Sequence, residues 1–196
     1  TVFKRKAPAL YERLQPDKAS GRKRERKRSM AQIYIIADTH FGHRAVLRYE
    51  DRPFDTIEQM DEELITRWNM QVQKEDTVFM LGDFSLYTKP NTEKITRRLK
   101  GKKILIMGNH DTRSPAWYRS CGFLEASRYP VILEGQWILS HRPMPLNEHM
   151  PYYNLYGHVH SNPCYTTYHP KSFCVCVERI EYTPILLDEI RRRMGL

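Results

Sequence analysis

The 196-residue sequence lacks any run of about 18 apolar residues, so no segment of it reads as a membrane-spanning helix. Its basic N-terminus is not followed by the apolar stretch of a secretory signal. Cysteine is scarce, four in all, and Cys121, Cys164, Cys174 and Cys176 form no CxxC pair. That argues against both a disulfide framework and a cysteine-rich structural zinc site. Cys174 and Cys176, in the alternating stretch SFCVCVERI, read as buried strand residues. The expectation is reduced thiols and a cytoplasmic setting. Residues 30–196 contain no internal repeat and no linker, which leaves one domain.

Excess charge is also missing from most of the chain. The formal net charge is +9, but residues 1–29 hold 11 Lys/Arg against 3 Asp/Glu, and residues 30–196 hold 21 against 20. The body is near neutral, so no broad nucleic-acid-binding face is implied there. Residues 1–29 read as a flexible extension ending in the basic run RKRERKR. It is either a nucleic-acid or targeting arm or a segment the domain does not need. Met30 opens directly onto the first strand, which favours the second reading.

What is present is an alternation of strands and helices. QIYIIA (32–37), TVFML (77–81) and KKILIM (102–107) are short apolar runs that read as buried strands. Residues 56–73 have apolar positions at helical spacing, with Asp55 as N-cap and Glu58 behind it. NTEKITRRL (91–99) and PAWYRSCG (115–122) read as helices, the latter closed by Gly122. YPVIL and QWILS flank Glu134–Gly135 as a hairpin. YYNLY and SFCVCVERI read as strands, and PILLDEIRRRM as a terminal helix. This order predicts an α/β fold with mixed sheets covered by helices.

Each strand ends in polar residues of metal-ligand type. The first gives Asp38 and His40 in ADTHFGH, the second Asp83 in LGDF, the third Asn109 and His110 in MGNHD. Later strands give His141 in LSHRP, then His158 and His160 in YGHVH. Loops leaving one edge of an α/β sheet can bring all of these together. Imidazole and carboxylate suit Mn, Fe, Zn, Co or Ni. Two such cations about 3.5–4 Å apart repel, so a bridging anion is required, and Asp83 on the middle strand is placed to be one. Gly82, Gly108 and Gly157 precede these residues, where the backbone must turn sharply or approach closely. Any one of these motifs alone is a turn or a cap; their joint order is not.

That order, Asp-x-His, Gly-Asp, Gly-Asn-His-Asp, a single His, then Gly-His-x-His, resembles the calcineurin-like metallophosphoesterase superfamily over roughly residues 31–176. The extended first motif DTHFGH is similar to the small single-domain bacterial and phage members. The resemblance implies a four-layer α/β/β/α sandwich around two divalent metal ions. It places Asp38, His40 and His160 on one ion and Asn109, His141 and His158 on the other, with Asp83 bridging. His110 would be a proton donor or charge stabiliser rather than a ligand, and Asp111 would orient it.

The expected reaction is hydrolysis of phosphate mono- or diesters by hydroxide held between the ions. His110 would serve the leaving oxygen. Arg44, Arg113 and Arg142 each follow a motif directly and are either phosphate contacts or solvated charges. His43 is a residue backing the ligands, a substrate contact or a surface residue, and the family motif tilts the choice towards the site. The rival readings are a nuclease that uses residues 1–29 to hold nucleic acid and a non-catalytic binding module on the same fold. No insertion is long enough for a cap domain, so an open site for small phosphate esters is expected.

Overall fold

The computed structural model describes residues 30–166 and 168–196. The basic segment 1–29 lies outside them. The first sheet contains β1 (Ile33–Ile36), β2 (Thr77–Met80), β3 (Lys102–Ile106), β4 (Glu125–Ser127) and β9 (Ile185–Leu186), in the order β4-β3-β2-β1-β9. The first four strands run parallel, and β9 pairs antiparallel with β1. Ile35, Ile36, Val78, Phe79, Ile104 and Leu105 are buried. The strands are apolar on both faces because a parallel sheet is covered on both sides.

The crossovers between these strands hold α1 (Val46–Tyr49), α2 (Ile57–Gln71), α3 (Lys89–Arg98) and α4 (Pro115–Ser120). Helix α2 buries Ile57, Met60, Leu64, Ile65 and Trp68. That is the 3.6-residue stripe visible in the sequence. Its N-cap is Thr56 rather than Asp55. The Thr56 backbone is extended and its hydroxyl accepts from the Gln59 N–H. Gln59, not Glu58, reaches back to accept the Asp55 N–H (2.9 Å).

The second sheet has the order β5-β6-β7-β8, built from β5 (Val131–Leu133), β6 (Trp137–Ser140), β7 (Tyr153–Tyr156) and β8 (Ser172–Cys174). Strands β5 and β6 form the expected hairpin, and β6, β7 and β8 run parallel. The β7–β8 crossover carries the 3₁₀ turn Pro163–Tyr165. Leu133, Trp137, Leu139 and Leu155 join the same core as the first sheet, so the two sheets face each other. Helix α5 (Leu187–Arg193) follows β9. Its Arg191 pairs with Glu134 and lies over the Trp137 ring, tying the helix to the β5–β6 hairpin.

Three elements differ from expectation. Strand β8 stops at Cys174; Cys176 makes a single bridge to Ala37, and Val177–Arg179 is a 3₁₀ turn. The apolar alternation of SFCVCVERI persists because the chain stays buried between the sheets. Strand β9 is hidden inside the run PILLDE, which reads as helix. Strand β4 is three residues of mixed polarity, too short to carry a period.

The two sheets meet where it matters for function. The Ala37 N–H donates to the Val175 carbonyl (2.9 Å), and the Val177 N–H to that of Ala37 (3.2 Å). These bonds bring the carboxyl ends of β1, β2, β3, β6 and β7 to one edge.

Candidate metal centre

Asp38 follows β1, and its N–H donates to the Gly82 carbonyl (3.0 Å); His40 donates likewise to Asp83 (3.0 Å). The first and second motif loops therefore run side by side. Asp38, His40, Asp83, His158 and His160 all have positive φ, between 46° and 72°. This left-handed backbone costs roughly 1–2 kcal/mol per residue, though Asp and His tolerate it better than most. It turns the side chains inward. Glycine supplies the room: a Cβ on Gly82 would strike the His141 ring, one on Gly108 would strike Asp83 Oδ1, and one on Gly157 would strike Asp38 Oδ2.

Each buried carboxylate divides its two oxygens in the same way. Asp38 Oδ2 accepts the His158 N–H (2.8 Å) and the Cys176 thiol (3.3 Å). Its Oδ1 is buried without a hydrogen-bond partner, 3.7 Å from His160 Nε2 and 4.0 Å from His40 Nε2. His40 Nε2 is likewise buried and unpartnered. Asp83 Oδ1 accepts the His110 N–H (2.8 Å), and its Oδ2 lies 3.7 Å from His40 Nε2 and 3.5 Å from His141 Nε2. Buried polar atoms left bare are costly unless something pairs with them.

The second group follows the same logic. His141 Nδ1 lies 2.8 Å from the Leu81 carbonyl, which fixes its proton on that nitrogen. Nε2 is then a lone pair, and it faces the Asn109 amide oxygen at 2.9 Å. Burial depresses the His141 pKa to about 4, so no second proton bridges the two acceptors. Among the described residues three groups of donor atoms converge; two of them are Asp38, His40 and His160, then Asp83, His141 and His158, and the third, Glu50 and Glu178, shares His160 with the first. These unpaired oxygen and nitrogen lone pairs are the donor set a divalent cation takes. The residues therefore fit the two-ion site that the sequence suggests, with Asp83 Oδ2 between the groups.

Burial raises the Asp38 carboxyl well above its usual range, with Asp83 adding to the rise, and burial raises Asp83 too. Burial lowers His158 to about 4 and holds His40 far below the usual imidazole range. For His160 burial is outweighed by its hydrogen bond to Glu178 and by the Asp38 charge, and the ring is raised to about 9.

His110 is exposed at the rim, its ring 5.3 Å from that of His40 and 5.8 Å from that of His43. His43 is half-buried, with Nδ1 3.3 Å from His40 Nδ1, so it belongs to the site wall. Asp111 is buried, and its carboxylate accepts the N–H groups of Asp83 (2.7 Å), Gly108 (2.9 Å) and Phe84 (3.2 Å). Among the described residues it makes no hydrogen bond to the His110 ring. The arginines separate as well. Arg44 is largely exposed beside Glu58 (3.8 Å), and Arg113 lies over Trp117. Arg142 is exposed, and its charge bears on His141 and His158.

Sequence reasoning missed Glu178 and Arg52. Glu178 Oε1 lies 3.0 Å from His160 Nδ1 and 2.6 Å from Arg52 Nη2, both side chains of the ion pair being buried. No spacing in the chain announces a pair 126 positions apart.

No helix among the described residues is long and apolar enough to cross a membrane. An uncharacterized protein of Methanocaldococcus jannaschii is 35% identical over 170 residues, covering 83% of this chain and 90% of that one. The Gene 66 protein of Mycobacterium phage L5 is 34% identical over 89 residues, 44% of this chain and 42% of its own length. The crystal structure of a protein of unknown function from Aquifex aeolicus superposes with a TM-score of 0.67 at 27% identity, covering 83% of this chain and 99% of that one. The family model for calcineurin-like phosphoesterases matches residues 31–185, a span that takes in every strand-end motif described above, and the chain belongs to that family.

Proposed function

We propose that the protein hydrolyses small phosphate esters, diesters included, with two divalent ions held at the carboxyl edge of the sheets. The observation that carries this reading is the pair of converging lone-pair groups with Asp83 Oδ2 between them, 3.7 Å from His40 and 3.5 Å from His141. Asp38, His40 and His160 would hold one ion, and Asn109, His141 and His158 the other, with Asp83 shared. When bound, such ions supply Lewis acidity toward phosphoryl oxygens and lower the pKa of water to about 7.

The chain's own groups do the rest. The rigid motif loops fix the donor atoms before substrate arrives, so little reorganisation is needed during reaction. His110, at the rim and tied by its N–H to Asp83, gives a proton to the leaving oxygen. Arg142 offsets charge on the phosphoryl oxygens. Asn109, His110 and Arg142 are all exposed, and the 147–151 stretch of the neighbouring loop is exposed too. This supports an open site with few walls, and therefore modest discrimination between substrates.

The test is a panel of aryl phosphate mono- and diesters assayed with Mn, Ni, Co, Zn and Mg in turn, alongside metal content. Two bound equivalents with turnover of several esters is the expected result. Metal uptake without turnover of any ester would make the protein a binding module. A single ester turned over at low-micromolar KM would refute the open site.

A further inference from the structure

Glu178 is a carboxylate outside the two proposed ligand groups that contacts one of their rings directly. It sits in the 3₁₀ turn Val177–Arg179, on a stretch that bridges to Ala37 at the end of β1. His160 shows one face to the site and the other to Glu178. Its Nε2 lies 3.7 Å from the unpartnered Asp38 Oδ1, and its Nδ1 lies 3.0 Å from Glu178 Oε1. Arg52 donates to the same Oε1 from Nε (2.9 Å) and Nη2 (2.6 Å). It also donates from Nη2 to the Asp38 carbonyl (2.7 Å) and from Nη1 to that of Thr39 (3.0 Å). One buried ion pair thus grips both the loop bearing Asp38 and His40 and the ring of His160.

We propose that Glu178, locked by Arg52, is a positioning residue that holds His160 with its proton on Nδ1 and its Nε2 lone pair aimed at the ion shared with Asp38 and His40. This deepens the two-ion reading and rests on it. A neutral imidazole carries one proton, and the hydrogen bond made by one nitrogen decides which nitrogen can ligate. The alternative, Glu178 and Glu50 joining His160 as a third cation site, is the poorer reading. It needs both ring nitrogens of His160 on metals, and it puts a dication beside Arg52, which already neutralises Glu178. Every hydrogen bond of the carboxylate to Arg52 and His160 runs through Oε1.

The experiment is calorimetric titration of the full chain with Mn(II), comparing wild type with Glu178→Gln. Gln keeps an acceptor but loses the charge that orders Arg52 and polarises the ring. Wild type takes up two equivalents. In Glu178→Gln one is unchanged and the other weakens about 10–100-fold, the usual effect of losing such a partner. In a His141→Ala background the weakening persists, and in an Asp38→Asn background it vanishes. Ile95→Val, in the core of α3, lowers stability without touching the site and leaves both affinities in place. Nitrogen-15 NMR of the zinc-loaded wild type gives a second readout that needs no variant: the retained proton of His160 is on Nδ1.

Fewer than two equivalents in wild type would overturn the two-ion reading itself. With two equivalents bound, the inference alone falls if Glu178→Gln binds both as wild type does or weakens both equally. It falls equally if wild type takes up a third equivalent that this variant loses, or if the zinc-loaded His160 ring carries its proton on Nε2.

Discussion

The Asp111 carboxylate accepts a hydrogen bond from the backbone N–H of Asp83 at 2.7 Å, and the same oxygen accepts that of Gly108 at 2.9 Å. Two neighbouring strand ends are thereby clamped to one side chain, and the clamp sits directly behind the carboxylate proposed to bridge the ions. Asp111→Ala should strand those donors in a buried place, at about 1–3 kcal/mol for each one left unpaired. The expected result is a lower melting temperature and reduced metal content, with the pH profile of the remaining activity unmoved. Full metal content with a shifted pH profile would return Asp111 to the role of orienting His110.

Gly108→Ala tests the fit of backbone to ligand. The added Cβ would run into Asp83 Oδ1, the Asp83 nitrogen and His141 Cε1, none of which has room to retreat. Metal affinity at the group holding Asp83 and His141 should fall by at least tenfold. Gly135→Ala separates collision from backbone strain: φ there is +71° and the space beside it is open. That variant should lose about 1 kcal/mol of stability and keep both ions.

How far the site could be read in advance follows from distance along the chain. Asp38, His40, Asp83, Asn109, His141, His158 and His160 lie at the ends of apolar strand runs, and sequence order plus sheet topology is enough to gather them. The glycines next to them were visible for the same reason. Glu178 was not, because its partners Arg52 and His160 come from other loops and their contact exists only after the sheets have met. The left-handed backbone at five of the gathered residues was equally hidden, since nothing in DTH or HVH demands positive φ. The orienting role of Asp111 came with the family resemblance, and no residue pattern showed that its carboxylate would gather three buried N–H groups, because those donors come from loops that meet only in the fold. The N-cap of α2 went to Thr56 over Asp55 through a one-residue choice that local preference does not decide.

The three arginines that follow motifs should now separate in kinetics. Arg142 bears electrostatically on His141 and His158, while Arg44 pairs near Glu58 and Arg113 rests on Trp117. Arg142→Ala should raise KM or lower kcat/KM by about tenfold, worth about 1.4 kcal/mol. Arg44→Ala and Arg113→Ala should stay within about twofold of wild type. Equal losses at all three would mean that the substrate spreads over the whole rim.

His110→Ala separates binding from chemistry. The His110 ring stands at the rim, and its backbone N–H, which the variant retains, is the part that holds Asp83. Both ions should remain, and kcat should fall by roughly 10²–10⁴. The loss should shrink for esters with good leaving groups, which need no proton. Loss of one ion in this variant would mark the ring as a ligand.

Asp61 offers a pH test at a group outside the proposed ligand set. It reaches from α2 to the loops that follow β1 and β2, where Oδ2 accepts the Tyr87 hydroxyl (2.8 Å) and Oδ1 the Gly42 N–H (3.3 Å). Burial raises its pKa from 3.8 to about 6, against the pull of those two hydrogen bonds. A carboxyl whose pKa is higher in the folded chain than in the unfolded one binds its proton more tightly when folded. Its contribution to stability is therefore complete below about pH 3.8 and is lost as pH rises through 6. Asparagine has no charge to bury, and its amide oxygen still accepts from Gly42. Melting temperatures of Asp61→Asn and wild type, measured in chelator so that metal uptake does not intervene, should lie close together at pH 4.5. The variant should then gain on wild type as pH rises through about 6 and hold a constant lead above about pH 7. A wild type that gains on the variant over that range would mean that the ionised carboxylate is stabilised by Tyr87 and Gly42 more than burial costs it.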